Sequence, residues 1–219
     1  EEIIADTGDT IRPGPAFILA GMDAAYEQHR LALIDRYATA TTHNPVEQAV
    51  KMALLKPAPP EVLERLRPMV EFLKHHADTV SLRGYAETDP NRFNRSAPRD
   101  IESPRMHILT NTALALYELR CGNPAAAIQR TDRTLQLAKE YPVDASDDFR
   151  AFLHPILLMA CRQTGDTTRA AAELELVKQY VQTHGEAFDH PIPFTNNDFL
   201  PVIERALAMI LDREALGAE

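Results

Sequence analysis

The sequence predicts an all-α chain of about eight helices, stacked as a solenoid of helical hairpins. Three observations predict it. Apolar residues recur at helical spacing along most of the 219 residues, and period-two alternation of β-branched or aromatic residues is missing. The segments Gly122-Asn123-Pro124-Ala125-Ala126-Ala127 and Gly165-Asp166-Thr167-Thr168-Arg169-Ala170 each place a glycine, then a helix-capping residue, then an alanine five residues after the glycine. Each follows an apolar-periodic helix and opens another. The composition, 45% hydrophobic and 25% charged with only 8 glycines, is that of an ordinary globular chain, long enough to bury a real core.

The elements follow in order. Residues 1–15 are polar, contain Gly8, Pro13 and Gly14, and read as an extended lead-in. Residues 16–102 form an N-terminal helical part. Its first helix starts near Ala16 or Met22 and ends at Tyr37, with Tyr26, Leu33, Ile34 and Tyr37 on the apolar side. The next opens at Asn44-Pro45-Val46-Glu47, where Asn44 can cap, Pro45 suits the first helical position and Glu47 can complete a capping box. Its stripe is Val46, Ala49, Val50, Ala53 and Leu54, and Pro57, Pro59 and Pro60 end it. A third helix, about Pro60 to His76, carries Val62, Leu66, Met69, Val70 and Leu73, with Pro68 inside as an expected kink. Residues 77–102 then read as a long loop.

Residues 103–219 read as two hairpins and a capping helix, continuous with the rest as one domain. Ser103-Pro104 restarts helix, running to Cys121 with Ile108, Leu109, Leu116 and Leu119 inward. Its partner from Asn123-Pro124 shows Ala127, Ile128, Thr131, Leu135 and Ala138 at helical spacing. The second pair is about Asp147 to Thr164, lined by Phe149, Phe152, Ile156, Leu157 and Ala160, and Thr167 to His184, lined by Ala170, Leu174, Val177 and Val181. Pro191-Ile192-Pro193 leads to a last helix, about Asn197 to Leu211, with Phe199, Ile203, Leu207 and Ile210 as its buried side.

A glycine turn followed by a small residue is the turn of a tetratricopeptide-type pair, in which the small side chain lets two helices approach closely. The two glycines lie 43 residues apart, against a period of roughly 34 for that repeat. The excess fits extra length around Tyr141 to Asp148, and the aromatic slots of the first helix hold Glu118 and Cys161 instead. The match is tetratricopeptide-like rather than consensus. Cys121 and Cys161 lie at different distances from the following glycine, so two buried thiols are expected rather than a disulfide.

The segment Glu47-Gln48-Ala49-Val50-Lys51-Met52-Ala53-Leu54-Leu55-Lys56-Pro57 resembles a Glu-x-x-x-Lys-x-x-Leu-Leu-x-Pro stretch. That stretch introduces the C-terminal tetratricopeptide-like region of certain large bacterial multidomain proteins, many of them serine/threonine protein kinases. The preceding Arg36-Tyr37 and the Thr-rich link Thr39 to Thr42 are similar to that family too, as are the hairpins around Gly122 and Gly165. The likeness spans about residues 22–185. It implies a non-catalytic region, with any kinase upstream, since the chain has no glycine-rich nucleotide loop, no His-Arg-Asp and no Asp-Phe-Gly. A first residue of Glu1 rather than methionine fits a fragment of a longer chain.

The chemistry is sparse. His75 and His76, with Glu71, supply two ligands on one helix face but no third, and His184, Asp189 and His190 precede a proline-rich loop. No nucleophile and base can be paired, so the expectation is no enzyme, no metal and no cofactor. A net charge of −9 argues against nucleic acid, which needs a basic stripe. No apolar run approaches the roughly 20 residues of a membrane span. The partner expected is a protein or peptide of neutral or basic character. Counting back from each glycine, the first helices of the pairs would line a groove with Thr112, Leu116, Leu119 and Arg120, then Phe152, Ile156, Met159, Arg162 and Gln163. That groove is either open to a partner or filled by the chain itself, from the first helix or the 77–102 loop. The alternatives to an interaction or assembly module are a regulatory or sensor segment of a kinase-type protein, and a helical enzyme or ligand-binding protein whose site the sequence does not reveal.

Overall fold

A computed structural model describes residues 13–79, 104–140, 148–184 and 199–217. Within them every regular element is a helix: α1 Pro13–Leu19, α2 Asp23–Tyr37, α3 His43–Ala53, α4 Pro60–Thr79, α5 Pro104–Arg120, α6 Pro124–Glu140, α7 Asp148–Thr164, α8 Thr167–His184 and α9 Phe199–Leu216. The all-α class holds, with nine helices among the described residues instead of about eight. The additional one is α1, and Pro13 to Pro15 belong to it rather than to an extended lead-in. Gly21, at φ 69°, separates it from α2. The Gly21 N–H donates to the Ile18 carbonyl (3.0 Å) and the Met22 N–H to the Phe17 carbonyl (2.8 Å), which closes α1 in a Schellman turn. Helix α4 runs to Thr79, so residues 77–79 are helical. The rest of the expected loop, the stretch before α7 and the Pro191–Pro193 connector lie outside the described residues.

The two glycine turns are the same turn. Gly122 has φ 75° and Gly165 φ 77°. In the first, the Gly122 N–H donates to the Leu119 carbonyl (3.1 Å) and the Asn123 N–H to the Glu118 carbonyl (2.9 Å). In the second, the Gly165 N–H donates to the Arg162 carbonyl (3.3 Å) and the Asp166 N–H to the Cys161 carbonyl (2.9 Å). Both are Schellman closures with the glycine in the left-handed region. The following helix starts identically, with the Ala127 N–H on the Asn123 carbonyl and the Ala170 N–H on the Asp166 carbonyl. Ala127 and Ala170 are both buried. A Cβ on either glycine would meet nothing within 4 Å, so Gly122→Ala and Gly165→Ala should each cost about 1–2 kcal/mol from backbone strain alone. Urea unfolding checks this. A cost at one turn and none at the other would mean that the turns are not equivalent.

Helices α5 and α6 pack as one pair, α7 and α8 as another, and α6 lies against α7. On the other side, α3 and α4 pack on α5, α2 on α3 and α4, and α1 on α2 and α3. Helix α9 returns to lie on α7 and α1. The odd-numbered helices therefore form a closed circuit of neighbours, α1–α3–α5–α7–α9–α1. The anticipated stripes of α2, α3 and α4 are all buried, in one continuous core. The α6 face matches the expected one at Ala127 and Thr131 and is turned from it at the other positions. Ala127, Thr131, Thr134 and Leu137 are buried, while Ile128, Leu135 and Ala138 are half-buried. Threonine can take the buried side because Thr131 and Thr134 donate their hydroxyls to the Ala127 and Arg130 carbonyls, each at 2.8 Å.

Candidate interaction surface

The groove residues lie together on α5 and α7, two helices in contact, but the surface is covered. Thr112, Leu116, Leu119, Phe152, Ile156 and Met159 are all buried. The Arg120 side chain is only 5% exposed. Of the nine positions, Arg162 and Gln163 alone are exposed. Among the described residues the covering comes from the chain itself and includes α9, which was not one of the segments anticipated for it; residues 80–102 of the anticipated loop lie outside them. Helix α9 lies on α7, and its last turn is held by both arginines. Arg120 pairs in a two-pronged fashion with the Glu214 carboxylate, Nη2 to Oε2 at 2.6 Å. Arg162 donates to the Ala215 carbonyl, near the C-terminus of α9 where a cation is favoured.

Arg120 also reaches the end of α3, donating to the Leu54 carbonyl (Nε, 3.0 Å) and the Leu55 carbonyl (Nη2, 3.2 Å). Two further side chains converge there from α2. Tyr26 donates its hydroxyl to the Met52 carbonyl (3.0 Å). Arg30 donates through Nη2 to the Lys56 and Pro57 carbonyls, at 3.1 and 3.2 Å. Arg30 is wholly buried, its guanidinium 4.6 Å from the Tyr26 ring centroid and its Nη1 on Glu27 (3.0 Å). The last carbonyls of a helix have no partner within the helix. Here five successive groups from 52 to 57, Ala53 excepted, each receive a side-chain donor. The Glu-x-x-x-Lys-x-x-Leu-Leu-x-Pro stretch is thus the buried hub of the fold. Glu47 and Lys51 form an ion pair of 2.7 Å, both nearly unexposed, and Leu54 and Leu55 are buried beside it.

A polar cluster joins the start of α3, the end of α4 and the start of α5. His43 Nε2 lies 2.9 Å from Thr110 Oγ1, and that hydroxyl is already donated to the Met106 carbonyl (2.7 Å). His43 must therefore carry its proton on Nε2 and leave a bare Nδ1, which is buried without a hydrogen-bond partner. His76 stands 5.3 Å away, ring to ring, and donates Nδ1–H to the Phe72 carbonyl (3.0 Å). Burial, with His76 and His107 nearby, lowers His43 to about 4. Burial and then Arg133 lower His107. Neutral in the fold but protonated when unfolded, His43 costs stability as pH falls from 6.5 towards 4. His43→Gln should remove about 2 kcal/mol of the stability difference between pH 7 and pH 5. Urea midpoints of the two proteins at both pH values measure it, and equal pH slopes would refute it.

Elsewhere the polar contacts tie helices together. Arg130 of α6 donates to Asp78 of α4 (3.0 Å) and to Asn111 of α5 (3.2 Å). Arg169 of α8 pairs with Asp132 of α6, and Glu173 meets His154 of α7 at 2.7 Å. Cys161 is buried as expected, whereas Cys121 is half-buried, and both are free thiols. His75 and His76 stand 6.0 Å apart. Among the described residues no group of three or more His, Cys, Asp or Glu side chains is placed to hold a metal ion, and the side chains of His184, Asp189 and His190 lie outside them. Also among them, no helix is long and apolar enough to cross a membrane.

Two residues that sequence reasoning passed over carry much of this arrangement: Arg30 and Glu214. For Arg30 a signal existed, since Tyr26 four residues earlier puts both on one helix face. No protein-family model, curated protein or solved structure matches the chain.

Proposed function

We propose that the chain is a non-catalytic, tetratricopeptide-like module for protein–protein interaction or assembly, within a larger bacterial protein. The observation that carries this reading is a helix seated against α7 with its last turn read by Arg120 and Arg162. A surface that accepts an amphipathic helix, and fixes its register through a carboxylate and a carbonyl, is the physical basis of helix-in-groove recognition. The two equivalent glycine turns support a repeated hairpin as its frame. In this reading α9 is the resident ligand and a partner helix takes its place. The partner is neutral or basic, because the chain carries a net charge of −9 and would slow the approach of an acidic one.

Peptides selected from a displayed random library against the full chain test the reading. The selected peptides should be neutral or basic, bind saturably and compete with one another. Arg162→Ala changes an exposed position and should weaken them about tenfold with unchanged helicity. Failure to select any saturable peptide, or peptides indifferent to Arg162, would contradict it.

A further inference from the structure

Helix α9 carries a carboxylic acid on the side it buries. Asp212 is 2% exposed, and Ala208, Leu211 and Ala215, at helical spacing around it, are buried as well. Neither carboxyl oxygen has a hydrogen-bond partner among the described residues. An ionised carboxylate in that position is uncompensated, so the docked helix favours the protonated form.

The charged groups described on the neighbouring helices are engaged elsewhere. Helix α1 has no ionisable side chain. On α7, Arg162 goes to the Ala215 carbonyl and His154 to Glu173. On α8, Arg169 pairs with Asp132, and Lys178 with Glu175. Arg120 of α5 is taken by Glu214 and by carbonyls. Burial, with no charge contributing, pushes the Asp212 carboxyl up to about 8.

Helix α9 is also the last helix of the described chain and rests mainly on α7 and α1. The hub at the end of α3 needs only Arg120, Tyr26 and Arg30 for its carbonyls, none of them from α9. A helix that rests mainly on two neighbours can open while the rest stays folded. We infer that α9 is a pH-gated latch: it docks with Asp212 protonated, and its release, with loss of that proton, uncovers Arg120 and frees Arg162 from the Ala215 carbonyl while α2 to α8 stay folded. The inference concerns the latch alone and stands whether or not a partner helix takes the vacated surface.

The sign follows from proton counting. The docked state holds one proton more than the released state between about pH 4, the ordinary carboxyl range, and about pH 8. Docking therefore weakens about tenfold for each pH unit across that interval. The test is amide hydrogen exchange on the full chain between pH 5 and pH 8, with protection corrected for the intrinsic rate. The amides of residues 208–216 should lose about five-hundredfold protection in the wild type and almost none in Asp212→Asn. Those of α4 and α5 should not follow. Protection of α9 that is flat in the wild type, an equal slope in Asp212→Asn, or a parallel loss in α4 and α5 would each overturn the inference. The wild-type contrast between α9 and α5 decides the matter even if the variant folds poorly. Titration of His43 moves the stability of the α3–α5 region in the opposite direction, so it cannot imitate the latch.

Discussion

Arg120→Met should lower the unfolding free energy by about 3 kcal/mol, because it removes one side chain that satisfies three acceptor groups in two separate places. Its guanidinium is donated to the Leu54 and Leu55 carbonyls at the end of α3 and to the Glu214 carboxylate of α9. Methionine keeps much of the apolar stem and loses every donor. Two largely buried carbonyls then face a thioether, which costs more than the bonds themselves contributed. Glu214 is 29% exposed and can turn to water, which keeps the loss below that of a fully buried pair. Chemical denaturation of the single variants and of Arg120→Met with Glu214→Gln closes a double-mutant cycle. The Glu214 change alone should be mild, since α3 keeps its arginine. A loss under about 1 kcal/mol for Arg120→Met would mean that the hub is held by other groups.

What the sequence made legible depended on range. The stripes of α2, α3 and α4 repeat over several turns, and their burial follows from period alone. Gly122 and Gly165 were legible because a left-handed residue after a helix is a local requirement. Helix α1 was not: seven residues hold too few turns for a period, and two prolines with a glycine read as loop. The face of α6 was legible at Ala127 and Thr131 and misjudged elsewhere, because apolar weight fell on Ile128 and Leu135. Thr134 hides its polarity in a bond to its own helix, which composition does not reveal. The arginines of the groove were legible, but not the groups that they bind. Their partners proved to be Leu54, Leu55, Ala215 and Glu214 of the same chain. No local pattern foretells that α9 folds back between α7 and α1. Arg30 and Asp212 look like surface residues for the same reason: a charged side chain on a helix is ordinarily exposed, and only tertiary packing buries it.

Leu116→Asp combined with Met159→Asp should unfold the domain rather than merely abolish binding. Leu116 on α5 is 2% exposed and Met159 on α7 is 9% exposed. Both belong to the continuous core. Each substitution removes apolar packing and introduces a carboxylate with no partner provided for it, at a cost on the order of 3 kcal/mol or more. Two such changes exhaust the stability of about 5–15 kcal/mol typical of a domain. On an open groove the same residues would be solvated, and the charges would cost little. Far-UV circular dichroism of the double variant at neutral pH therefore measures whether the α5–α7 face is filled by the chain itself. Loss of most of the helical signal is the predicted result, and native helicity with an unchanged cooperative melt would contradict it.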